Sequence, residues 1–145
     1  MLSQKARYAL HSLIVLAERG GDEPMMIADI AEEANVPRKF LEQILLGLKR
    51  RGIVRSHRGR QGGYLLGRPP SEITFADIIR ETDGPLALSP CVSATAYHKC
   101  DDCEDEETCA IRKVMRRVRD AIAHELDGTS LADALKSGLP ASLVA

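Results

Sequence analysis

The chain has 145 residues, a hydrophobic fraction of 44%, an aromatic fraction of 3% and no Trp. That length accommodates one cored domain plus an appendage, and the aliphatic bias favours helices. No apolar run reaches the ~18 residues a membrane-spanning helix requires, and the net charge of −1 conceals two opposed regions.

Ala6, Ala9, Leu10, Leu13, Ile14 and Ala17 recur at helical spacing, which predicts a helix from Ser3 to Arg19 stopped by Gly20 and Gly21. Its apolar stretch follows Lys5 and Arg7 but is broken by His11 and Glu18, so it reads as a helix and not as a signal peptide. The expected location is the cytoplasm, where thiols stay reduced. Ile27, Ile30, Ala31 and Ala34 predict a second, short helix, and Asn35 and Val36 turn the chain. Pro37 suits the first position of a third helix, with Leu41, Ile44, Leu45 and Leu48 as its inner stripe and Gly52 at its end. Arg38, Lys39, Glu42 and Gln43 then face outward.

Two strand-like pieces follow, Ile53 to Ser56 and Gly63 to Leu66, separated by a glycine-rich turn from His57 to Gly62. Short helix, short turn, basic helix and basic-tipped hairpin make a winged helix-turn-helix. The expected fold class is therefore mainly α, with a small β-hairpin wing. Residues 38–68 hold nine Lys and Arg against Glu42 alone, a local charge of +8, which leaves −9 for the remainder. Such segregation is the footprint of a polyanion partner, and double-stranded DNA fits the helix and hairpin pattern.

On the first turns of the third helix, Arg38 is placed to pair with guanine and Gln43 with adenine, with Lys39 beside them. Glu42 either accepts from the amino group of cytosine or pairs with Arg38 one turn away. Lys49, Arg50 and Arg51 read as phosphate clamps. Arg58 and Arg60, with Gln61 beside them at the wing tip, can reach phosphates or a narrow minor groove.

Thr74 caps a further helix, with Asp77 three positions on and Gly84 and Pro85 as its stop. From Cys109 onward, Ile111, Met115, Val118, Ile122 and Leu126 draw a long stripe with little of its own domain to pack on, which predicts pairing with a second copy, with packing back on the first helix as an alternative compatible with it. Ser130 caps a last short helix, and Pro140 to Ala145 reads as loose. The expected organisation is a DNA-binding domain over 1–85, a cysteine-rich loop over 86–108, a dimerisation helix over 109–128 and a tail over 129–145.

The four cysteines of the chain all fall in that loop and its border, at Cys91, Cys100, Cys103 and Cys109, with six acids between Cys100 and Cys109. Zinc ribbons use two close pairs, and one such pair is present here. A C-x-x-C redox couple needs a depressed thiol pKa, which the surrounding acids oppose. An iron–sulfur cluster tolerates irregular spacing and fits best, with zinc or bare thiols as the alternatives. No Gly-rich phosphate loop or nucleophile–base pair stands out, so no enzyme is expected.

The run from Val36 to Gly67, VPRKFLEQILLGLKRRGIVRSHRGRQGGYLLG, resembles the iron–sulfur cluster regulators of the IscR/NsrR/RirA type. So do Tyr8 to Leu10, the segment ITFADIIRETDGP from Ile73 to Pro85, and the cysteines after it. The resemblance implies a bacterial, homodimeric winged-helix transcription factor. In it a 2Fe–2S or 4Fe–4S cluster sensing iron, redox state or nitric oxide tunes promoter binding, with repression as the expected output. Carried over, Leu41, Glu42 and Gln43 lie in the recognition helix, Arg58 to Tyr64 in the wing, and Cys91, Cys103 and Cys109 match the three cluster cysteines. The family's 2Fe–2S members place a histidine ligand three residues after the last cysteine. Arg112 stands there in this chain, which makes Cys100 the candidate fourth ligand.

Overall fold

A computed structural model describes residues 1–137; the stretch read as loose from Pro140 onward lies outside them. The helices are α1 (Gln4–Arg19), α2 (Ile27–Glu33), α3 (Arg38–Arg50), α4 (Phe75–Asp83), α5 (Ala110–Asp127) and α6 (Leu131–Lys136). Strands β1 (Val54–His57) and β2 (Gly63–Leu66) form the hairpin. Local chemistry sets most of the boundaries. The Ser3 side chain caps α1 by accepting from the Ala6 amide. Asn35 takes a left-handed conformation (φ 53°) in the turn between α2 and α3, which its short polar side chain tolerates. Thr74 with Asp77, and Ser130 with Asp133, close reciprocal capping boxes at α4 and α6.

The core is the sum of the helical stripes. Leu13 of α1, Ile30 of α2, Leu41, Leu45 and Leu48 of α3, and Ile78 of α4 are all at or near zero exposure. The hairpin pairs Val54 with Leu66 and His57 with Gly63. It is anchored outside its own ladder, because Met25 and Tyr64 exchange two backbone hydrogen bonds of 2.8 Å. This bridge fixes the wing to the connection between α1 and α2, and so to the head that carries α3.

The C-terminal part differs from the sequence expectation in two ways. First, the contacts of α5 with its own head run to α4 and to the turn at Val92. Arg80 of α4 makes a two-bonded fork to Asp127 at 2.6 and 2.9 Å, and Arg119 donates to the Val92 carbonyl at 2.9 Å. The Arg80 guanidinium, chiefly through its hydrogen bonds, holds the Asp127 carboxyl below the usual carboxylate range. Both side chains are substantially exposed, so the fork contributes about 0–1 kcal/mol and serves mainly as a locator. Second, α6 returns to the head. Phe75 donates to the Thr129 carbonyl and Leu131 to the Ile73 carbonyl, each at 2.9 Å, which buries Leu131 fully beside α1.

Candidate nucleic-acid interface and cysteine site

Helix α3 turns Leu41, Ile44, Leu45 and Leu48 inward, and Arg38, Lys39, Glu42, Gln43, Lys49 and Arg50 are exposed. Glu42 is paired with Arg38 (3.5 Å, both side chains exposed), so in the free protein this carboxylate is neutralised one turn from its own position. Leu46 lies on the same outward surface. At the wing tip Arg58, Arg60 and Gln61 are exposed. The glycines around them are required by close approach: a Cβ on Gly62 would stand 2.5 Å from the His57 carbonyl oxygen, and one on Gly63 would stand 2.2 Å from that of Met25.

The basic block is less uniform than its composition implies. Arg51, grouped on sequence with Lys49 and Arg50, is instead bound to Glu81 of α4 at 2.7 Å. Arg68 donates to the Glu72 carbonyl at 3.2 Å and lies 3.8 Å from Asp77. Among the described residues, none of Lys39, Lys49, Arg50, Arg55, Arg58 and Arg60 is paired with a carboxylate. These six cations are the ones free to meet phosphate, and they come from α3 and the hairpin together.

The cysteine segment is mostly irregular and holds one short 3-10 turn, Pro90–Val92, with Cys91 buried on it. Ser89 contacts two sulfurs at once, Cys91 Sγ at 3.3 Å and Cys100 Sγ at 3.7 Å. Cys103 follows Cys100 through a tight turn closed by its amide on the Cys100 carbonyl at 3.1 Å. Cys109 caps α5, its sulfur accepting from the Arg112 amide at 3.4 Å. Desolvation pushes the Cys103 thiol above its ordinary value; the neighbouring thiols and Glu106 act the same way, and Lys99 opposes them. All four cysteines are free thiols. By donor type they suit a thiolate-ligated group. In this arrangement, among the described residues, no three His, Cys, Asp or Glu side chains stand close enough together to hold a metal ion. The Arg112 Nε is buried and, among the described residues, without a hydrogen-bond partner.

Sequence reasoning found the cysteines and noted Arg112 at the histidine position, but missed Ser89 and Arg119 as neighbours of the same segment. The nearness of Ser89 to Cys91 was a weak signal. For Arg119, nothing local marks which arginine of α5 reaches the turn at Val92.

A head of helix-turn-helix and wing, with a free basic surface shared between α3 and the hairpin, defines a DNA-binding transcriptional regulator. The chain belongs to the Rrf2 family: the family model described as an iron-dependent transcriptional regulator matches residues 2–137. It is 42% identical over 145 residues to an rrf2-like HTH-type transcriptional regulator of Rhodobacter capsulatus, covering 98% of this chain and 97% of that one. It is also similar to the solved structure of CymR, the global cysteine regulator of B. subtilis, with a TM-score of 0.77 and 36% identity over 94% of this chain and 97% of the other. The structure of T. potens IscR aligns with a TM-score of 0.73 and 32% identity over 96% of this chain and 88% of the other.

Proposed function

We propose that the chain is a cytoplasmic, homodimeric repressor whose grip on duplex DNA is tuned by an iron–sulfur cluster held by Cys91, Cys100, Cys103 and Cys109. The observation that carries this reading is the four free thiols gathered on one segment, two of them met by the same Ser89 hydroxyl. When bound, such a group supplies one-electron redox chemistry and reactivity towards oxidants and nitric oxide.

The residues of the chain then couple that segment to DNA geometry. Arg119 ties the Cys91 turn to the middle of α5, and the Arg80–Asp127 fork ties the end of α5 to α4, which packs on α3. Helix α5 has no buried residue among the described ones and presents Ile111 (71% exposed) and Val114 (50% exposed) outward, a face suited to the same face of a second copy. Two recognition helices of such a dimer must lie about 34 Å apart to enter successive major grooves, so a small shift of each head on α5 changes affinity. Arg38, Lys39, Glu42 and Gln43 then address bases, and Arg50, Arg58, Arg60 and Gln61 address the backbone.

The test is an anaerobic visible and electron-resonance spectrum with iron and sulfide counts, on the wild type and on cysteine variants. A brown wild-type protein is expected. Cys91→Ser should lose most of its iron, because Cys91 is the sulfur on the turn that Arg119 holds. Cys100→Ala with unchanged iron content and spectrum would remove Cys100 from the ligand set, and a colourless wild type that resists reconstitution would overturn the reading. A second reading, sensing by the thiols themselves, is supported by the Ser89 hydroxyl already joining Cys91 to Cys100.

A further inference from the structure

We infer that in the iron-free protein Cys91 and Cys100 form the first disulfide, and that Ser89 is the positioning residue that selects this pair. The inference deepens the thiol-based reading of the site and does not depend on cluster assembly. Spacing alone would choose Cys100 and Cys103, the C-x-x-C pair. The fold chooses otherwise. The His98 amide donates to the Pro90 carbonyl at 3.2 Å, which folds the chain back so that Cys100 passes the Cys91 turn. The Ser89 oxygen then lies within hydrogen-bond reach of both sulfurs. Cys103 meets Cys100 through backbone atoms, and among the described residues its sulfur makes no hydrogen-bond contact.

The order of events follows from exposure. Cys100 is half-buried and Cys91 is 6% exposed, so within this pair a small oxidant such as hydrogen peroxide reaches Cys100 before Cys91. Cys100 Sγ takes one peroxide oxygen as the O–O bond breaks, giving a sulfenic acid and one water. Cys91 Sγ then attacks Cys100 Sγ; the S–S bond forms, the S–O bond breaks and a second water leaves. Two thiols have lost two electrons and two protons, and the peroxide has become two waters. The bond removes two of the four proposed cluster ligands. It also fastens the outer loop to a turn that Arg119 already holds against α5.

The experiment uses full-length protein, reduced and freed of iron, exposed anaerobically to about one equivalent of hydrogen peroxide and mapped by non-reducing peptide mass spectrometry. Trypsin cleaves after Lys99 and separates Cys91 from Cys100, and cleavage before Asp101 or Asp102 separates Cys100 from Cys103. A dominant Cys91–Cys100 cross-link within one chain, formed several-fold more slowly in Ser89→Ala, is expected. A dominant Cys100–Cys103 loop or bonds between chains would overturn the pairing, and an unchanged Ser89→Ala rate would overturn the role of Ser89. Iron counts on a separate, unoxidised sample report on the cluster independently of the disulfide pairing.

Discussion

Gly63→Ala is expected to lower duplex affinity by roughly tenfold or more, about 1.4 kcal/mol, while the helical content stays intact. A methyl group at this position would stand 2.2 Å from the Met25 carbonyl oxygen, 2.5 Å from its carbon and 2.9 Å from the Met26 amide nitrogen. All three are backbone atoms, so no side chain can rotate away. Relief requires the hairpin to lift from Met25, breaking the two hydrogen bonds through Tyr64 that dock it. Overpacking of this kind costs about 1–3 kcal/mol. The larger loss should be functional, because the wing tip would no longer sit at a fixed distance from α3. Fluorescence anisotropy with a labelled duplex, run beside far-ultraviolet circular dichroism, separates the two effects. Unchanged affinity in the variant would show that DNA binding does not use the wing.

The second large effect is expected at the wing tip itself. The double variant Arg58→Ala/Arg60→Ala should reduce the steepness of the salt dependence of DNA binding by about two units, since each phosphate contact contributes about 0.9 to that slope. Arg51→Ala and Arg68→Ala are the informative comparisons. They remove the same charge from the same stretch of sequence, but Glu81 and Asp77 already engage those guanidinium groups. Their slopes should stay near the wild-type value. Equal slope changes in all four arginine positions would mean that net charge, and not the placement of these side chains, governs binding.

That contrast shows what the sequence could and could not disclose. The inner stripe of α3 and the caps at Thr74 and Ser130 were legible because each depends on residues within one or two turns. The same holds for the turn at Asn35 and the glycine-tipped hairpin. Arg50 and Arg51 look alike in the sequence; they differ because Glu81, thirty positions away, reaches only one of them. The long stripe of α5 was legible as an apolar periodicity, of which Ile111 is exposed and Met115, Val118, Ile122 and Leu126 are half-buried, but its two tethers, from Arg80 and to Val92, join residues 47 and 27 positions apart. The return of α6 to the head was hidden for the same reason: Leu131 is one apolar residue, and its place in the core is set by the Ile73 carbonyl. At the cysteine site, the sequence located the four thiols, while the fold alone put Ser89 between two sulfurs.

If the cysteine segment is the sensor, its state controls how tightly the protein holds DNA. An anaerobic titration of one duplex, recovered from a random pool, with reconstituted and iron-free protein tests this control, iron and sulfide being counted on the same samples. Iron bound by the reconstituted chain and affinities that differ by roughly tenfold, about 1.4 kcal/mol, are expected. A fully loaded protein that binds the duplex with the same affinity as the iron-free one would show that the segment does not govern DNA binding.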